Sequence, residues 1–334
     1  MRSAKTKIIL ISAMLAIYLI GAFFVFSPWI KTAIQTQKSN AVVERFMETA
    51  VHNLPAPEIP TEDNQPTIDN PSQKPEPMPY AELYQVMRDY NERIYLERQS
   101  GLDGPDSYEI PEICLSDYGI ENGVLGVLEI PSMDLILPIY LGASKANLDQ
   151  GAACLAETSF PIGGINTNSV IAGHRGWYNN NYFKEIERVN IGDEIIITNL
   201  WEKLTYCVTE IRIIDPDDVD QIHIQDGRDM ITLFTCHPFA SGGQYRYLVL
   251  CDRVNEDVKQ PETSVSEPVS ELPPSEPEET SVTPTVCAEG VTFESSRTSV
   301  MIYNCIPWLG IALTLALLAA CGYSIYQTVK NKKE

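Results

Sequence analysis

The sequence predicts a mainly β domain, a closed barrel or a sandwich, held outside a membrane between two spanning helices. Three observations lead there. Long uncharged apolar runs lie near both ends of the 334-residue chain. Seven short β-rich runs, set apart by Gly, Pro, Asn and Asp clusters, fill its middle. Polar, proline-rich stretches separate that middle from each apolar run.

The first apolar run, residues 8–30, has no charged residue across 23 positions. As a helix it would be about 34 Å long, against a hydrocarbon core of about 30 Å. Arg2, Lys5 and Lys7 precede it. The second run, 306–326, is 21 residues long and is followed by Lys330, Lys332 and Lys333. Basic flanks stay in the cytoplasm, so both termini are expected there and residues from about 31 to 300 outside. Lys31 and Lys38 oppose this weakly. The alternative for 1–30 is a cleaved signal peptide. A long apolar core and the lack of a small-x-small cleavage site count against it.

Residues 31–79 are expected to form a stalk, proline-rich over 54–79. Residues 80–98 read as an amphipathic helix, with Leu83, Val86, Met87, Tyr90 and Ile94 on one stripe. Strands are predicted over 124–130, 133–140, 169–172, 194–198, 203–214, 230–236 and 245–253. In 203–208, Leu204, Tyr206 and Val208 alternate with polar neighbours, as on a half-buried strand. The globular domain thus spans 80–254. In residues 256–285, 22 of 30 are Glu, Pro, Ser or Thr, so 255–298 is expected to be an extended linker. Residues 299–334 complete the chain as a membrane helix and basic tail.

The net charge of −21 argues against nucleic-acid binding. The acidic positions within 215–220, with Asp226, lack EF-hand spacing and read as a surface loop. No metal or cofactor is called for. Of eight cysteines, five fall in the domain, at 114, 154, 207, 236 and 251, and no CxxC pair occurs. Cys207 and Cys251 sit inside strand-like runs and read as buried small hydrophobes, a bridge between them being the alternative.

Cys236 is different. It ends the run Thr232-Leu233-Phe234-Thr235-Cys236, with a polar residue on each side and a Pro238…Ser241-Gly242-Gly243 loop beyond. His174 ends the run 169–172 within Gly173-His174-Arg175-Gly176, and Arg246 opens the last strand. Any of the three alone reads as a structural residue: an inert core thiol, a loop histidine, a strand-end salt bridge. Together they offer a nucleophile, an acid/base and an oxyanion donor, which suits acyl transfer by a cysteine enzyme. His237 and Arg175 are the competitors. Each adjoins a candidate, so an extended strand would turn it to the opposite face. His223 and His52 read as solvated surface residues.

These residues resemble the sortase family. The Thr-Leu-x-Thr-Cys run at 232–236, Gly-His-Arg-Gly at 173–176, Arg246 and the stretch Thr158-Ser159-Phe160-Pro161-Ile162-Gly163-Gly164 carry the likeness, over roughly 80–254. The resemblance implies a closed eight-stranded β-barrel with peripheral helices, on the surface of a Gram-positive bacterium. It implies cleavage of a Leu-Pro-x-Thr-Gly-like sorting signal between Thr and Gly, through a thioacyl intermediate on Cys236. The two membrane runs and the N-terminal extension look most like class C, the pilus-assembling sortases. For that class the partners are sorting-signal-bearing pilins and the amine acceptor is a pilin lysine. Class C also implies a lid, expected here at 100–120, although the Asp-Pro-aromatic triplet of that class is missing. Asp103, Asp106 and Tyr108 are the lid candidates. One alternative is a sortase anchoring surface proteins to a peptidoglycan amine. Another is a non-catalytic membrane-tethered adhesin or pilin, against which stands the lack of a Leu-Pro-x-Thr-Gly-like pentapeptide before 306.

Overall fold

The computed structural model describes residues 2–53, 78–102, 105–175, 182–254, 286–287, 293 and 295–330. Eight strands form a closed barrel: β1 (Val124–Ile130), β2 (Leu135–Leu141), β3 (Ala152–Cys154), β4 (Thr167–Ala172), β5 (Glu194–Asn199), β6 (Lys203–Ile214), β7 (Asp229–His237) and β8 (Tyr245–Arg253). Around the barrel the order is β5-β1-β2-β3-β4-β7-β8-β6, and pairing of β6 with β5 closes it. Closure leaves no free edge among the eight strands. A ninth strand, β9 (Val286–Cys287), adds in parallel to β6 at Arg212 and Ile213. All seven predicted strands are present. The sequence reading did not include β3 or β9, which at three and two residues are too short for alternation to show.

The barrel interior is filled from every strand, by Val127, Ile139, Ile171, Ile197, Ile211, Leu233 and Val249 among others. Helix α2 (Ala81–Leu96) lies outside, burying Leu83, Met87, Tyr90 and Ile94, the predicted stripe. Its buried Asn91 pins the loop after β3, donating to Phe160 O and accepting from Phe160 N. A single helical turn, α3 (Lys145–Leu148), follows β2.

Both apolar runs are helical, and both helices are long and apolar enough to cross a membrane. Helix α1 (Arg2–Asn53) does not stop near residue 30. It continues through the first part of the expected stalk and packs on β1 and β2, with Phe46 and Ala50 in the core. Burial of that helically spaced stripe against the barrel stabilises the continuation. The proline-rich part of the stalk and most of the 255–298 linker lie outside the described residues. Helix α4 (Arg297–Lys330) runs antiparallel to α1. Phe26 packs on Gly310, where any side chain would collide with its ring, and the Tyr18 and Thr314 hydroxyls are hydrogen-bonded.

Cys207 and Cys251 are free. In the β6–β8 register Cys251 faces Val208, so Cys207 points to the other side of the sheet. The pair cannot bridge, and burial pushes the Cys251 thiol well above its usual pKa.

Candidate active site

Three strand ends meet at one rim of the barrel. Strands β7 and β8 pair antiparallel, with Cys236 directly opposite Arg246. Strand β4 runs parallel to β7, with Ala172 beside Phe234. Two further bonds carry that pairing past the strand end: Gly173 N donates to Phe234 O at 3.1 Å, and the Thr235 hydroxyl donates to Gly173 O at 2.6 Å. The continuation brings His174 level with Cys236. Gly173 must be glycine here, because a Cβ would lie 2.8 Å from the Phe183 ring.

Cys236 is half-buried beneath the loop that follows β7. That loop starts at a cis His237–Pro238 bond and returns through Gly243, at φ 89°. A Cβ on Gly243 would stand 3.2 Å from Cys236 Sγ and 3.0 Å from Arg246 Nη1. The bare backbone therefore covers sulfur and guanidinium together. Arg246 Nη1 donates to Gly243 O at 2.7 Å and to Tyr245 O at 3.2 Å, and the guanidinium lies 5.9 Å from the Phe234 ring centroid. These contacts fix a cation beside the sulfur.

His174 is also half-buried, and burial lowers its pKa, so the neutral imidazole dominates at pH 7. Asp149 works against that shift. Its Oδ1 lies 3.5 Å from His174 Nε2, while its Oδ2 accepts from Lys145 at 2.6 Å. The carboxylate sits at the end of α3, tied by the i,i+4 pair to Lys145.

The opposite face of the same strand ends is closed and polar. His237 and Arg175 are both fully buried, as is Glu187. Arg175 Nη1 lies 2.9 Å from His237 Nδ1, and Arg175 Nη2 donates to Glu187 at 2.5 Å. Glu187 also accepts from the Ser295 hydroxyl at 2.8 Å and from Ser296 N at 2.9 Å. Burial raises the Glu187 pKa, but Arg175 and these hydrogen bonds outweigh it and hold the carboxyl below its usual value. For His237, burial and then the Arg175 charge push the pKa down to about 4.

The lid region is partly visible. Pro105–Tyr108 form a 3-10 turn, pinned where Tyr108 O accepts from Ala143 N at 2.8 Å and Ala156 N at 3.1 Å. The Tyr108 ring packs in the cluster that contains Phe234. Its hydroxyl feels the Arg246 charge, although burial dominates and raises its pKa. Tyr108 therefore lies on the rim that carries the site. Asp106 is in that turn, and Asp103 lies outside the described residues.

Cys236, His174, Arg246 and Tyr108 thus converge, whereas His237 and Arg175 turn away as expected. His223 is a surface residue, 3.6 Å from Asp220. The sequence reading did not single out Asp149, Gly243 or Glu187. For Gly243 a signal existed, the Ser241-Gly242-Gly243 turn; for the two carboxylates none did, since no local pattern links Asp149 to His174 or Glu187 to Arg175 and Ser296.

A family model described as a sortase domain matches residues 128–254. Sortase A of Bacillus anthracis is 30% identical over 161 residues, which are 48% of this chain and 72% of that relative. Sortase D of Bacillus subtilis (strain 168) is 29% identical over 131 residues, 39% of this chain and 63% of its own length. Among solved structures, Sortase C1 of GBS Pilus Island 1 aligns with a TM-score of 0.51 at 25% identity, covering 65% of this chain and 98% of that one.

Proposed function

Because the chain belongs to the sortase family, and its fold is similar to that of a class C member, we propose that it is a membrane-anchored cysteine transpeptidase. The observation that carries the reading is the delivery of Cys236, Arg246 and His174 to one barrel rim by three neighbouring strand ends. The substrate is a Leu-Pro-x-Thr-Gly-like sorting signal. Neutral His174 takes the Cys236 proton as the sulfur attacks the Thr carbonyl carbon. Arg246 donates to the oxyanion of the tetrahedral intermediate. As that intermediate collapses, the Thr–Gly C–N bond breaks and His174 passes its proton to the departing amine. A second amine then attacks the thioester, gives a proton to His174, and leaves with the acyl group, restoring the thiol. Asp149 steadies the imidazolium that exists between these transfers.

The basic flanks support a topology with both termini in the cytoplasm and the barrel outside. The acceptor is a pilin lysine. Two features support it over a wall-peptide amine: the paired membrane helices, and the likeness to a sortase named for a pilus island. The test is transpeptidation by the full chain of a sorting-signal peptide onto either a pilin or a wall-peptide amine. Product on the pilin is expected, and exclusive transfer to the wall peptide would reverse the assignment. Cys236→Ala should abolish both product and thioacyl capture; retention of either removes Cys236 as the nucleophile.

A further inference from the structure

Between α4 and the barrel lies a cavity of about 420 Å³, on the opposite side of β4 and β7 from the cysteine. Its lining carries four cations, Arg175, Lys184, Arg188 and Arg297, against two carboxylates, Glu185, which lies 3.1 Å from Arg188, and Glu187, which pairs with Arg175. A local positive excess is notable in a chain of net charge −21. Trp308, strongly exposed, extends the wall downwards along α4, and exposed Met301 lies above the level of Asn304.

The level of this cavity follows from the helices. About 20 residues span a hydrocarbon core. Counted outwards from Lys7 on α1, the core ends near residue 27, just short of Trp29. Counted back from Lys330 on α4, it ends near residue 310, just short of Trp308. The two counts agree, because Phe26 packs on Gly310. Trp29 also stacks on Tyr303, at 5.2 Å between centroids. Trp29, Tyr303 and Trp308 thus form an aromatic belt at the outer interface. Lys184 sits at that level. It donates to Asn304 at 2.7 Å and lies 5.8 Å from the Tyr303 ring centroid. Arg297, two turns above Asn304, has one nitrogen on Glu187 O. Lys184 is a half-buried ammonium whose burial lowers its pKa, so an anion beside it would be favoured.

We propose that this cavity holds the headgroup of an anionic phospholipid of the outer leaflet, with its phosphate between Lys184 and Arg188 and its chains descending past Trp308. The proposal rests on the outside placement of the barrel, and on no feature of the catalytic reading. Charge and level select the occupant: a zwitterionic headgroup leaves the positive excess unmet, and a soluble anion leaves the apolar wall bare.

The test uses the full chain in nanodiscs of phosphatidylcholine with a minor share of phosphatidylglycerol. Lipid retained on transfer to detergent is quantified by mass spectrometry. Retained lipid should be enriched in phosphatidylglycerol over its share in the disc. In a Lys184→Gln/Arg188→Gln variant the preference for phosphatidylglycerol should fall by about 25-fold, at roughly fivefold per cation near an anionic surface. Thiol labelling of Cys236 at the wild-type rate would show that the variant is folded. Retained lipid mirroring the disc in both proteins would overturn the proposal, as would displacement of the lipid by inorganic phosphate. Labelling of exposed Cys114 in whole cells by a membrane-impermeant thiol reagent separates the two readings. Cys114 reached without lipid selectivity removes the lipid site alone; Cys114 not reached removes the outside placement and the site with it.

Discussion

The two faces of the last residues of β7 are built on opposite principles. On one face Cys236 is half-open, covered by a glycine backbone, with Arg246 held by two carbonyls. On the other, His237 is sealed among Arg175, Glu187 and the Tyr247 and Phe293 rings. One step along a strand separates a half-open thiol from a sealed imidazole. The closed face also reaches the second apolar helix: Glu187 accepts from Ser295 and Ser296, Ser296 Oγ accepts from Phe239 N, and α4 begins at Arg297. The loop over the cysteine and the start of α4 are therefore tied through Ser296, which the buried carboxylate also holds.

If the two faces divide the work in this way, mutations should separate stability from chemistry. The largest effect should come from Glu187→Ala. It leaves Arg175 buried without its carboxylate, which costs about 3–5 kcal/mol. Chemical denaturation should show a midpoint well below wild type, and the remaining folded enzyme should keep most of its turnover per active site. A wild-type midpoint would mean that the closed face does not hold the strand ends.

Arg246→Ala should do the reverse. Removing one oxyanion donor typically costs about 10²–10³ in rate. Arg246 donates to the Gly243 and Tyr245 carbonyls at the barrel rim, so the denaturation midpoint should hardly move. Single-turnover acylation of a sorting-signal peptide would measure it. A loss below about tenfold would leave the oxyanion without this donor.

Much of this division was legible in the sequence, and the reason is periodicity. Strand alternation decides which of two adjacent residues faces which way, so Cys236 and His237, like His174 and Arg175, could be assigned before any contact was known. The three strands that carry the site are long enough to show that pattern. Asp149 and Glu187 were not legible, because Asp149 acts on His174 across 25 residues, and Glu187 on Arg175 across 12 and on Ser296 across 109, contacts that only the folded chain supplies. The continuation of α1 to Asn53 was half-legible. Val42, Val43, Phe46, Met47 and Ala50 have helical spacing, but the proline-rich stretch after them reads as a stalk and draws the whole segment with it.

The closed face also sets an acid limit. His237 Nδ1 accepts from Arg175, so the fold holds a neutral imidazole and its pKa falls to about 4. In the unfolded chain the value returns to about 6.5. Between those values the unfolded state binds the extra proton, so stability falls as pH drops from about 6.5 towards 4. The loss reaches about 3 kcal/mol. His174, shifted in the same direction, adds a smaller slope. Glu187, whose pKa is lowered, contributes stability that is lost only below the usual carboxylate range, outside this window. Melting temperatures measured across pH 7 to 4.5 should fall steeply in the wild type and less steeply in His237→Gln. Equal slopes would place the acid-sensitive group elsewhere.

The smallest effect concerns access to the open face. Tyr108 is held at the rim by backbone bonds from Ala143 and Ala156, which a side-chain change leaves intact. Its ring packs in the cluster with Phe234, beside which Arg246 lies. Tyr108→Ala therefore removes cover while leaving the turn in place. Thiol labelling of Cys236 should quicken by a few-fold, corresponding to about 1 kcal/mol of lost ring packing. The midpoint of unfolding should drop by a similar small amount. Deleting 102–108 removes the pinned turn as well and should quicken labelling further. If both changes left the rate unaltered, the half-buried state of Cys236 would be due to the Gly243 loop alone, and the turn would be no lid.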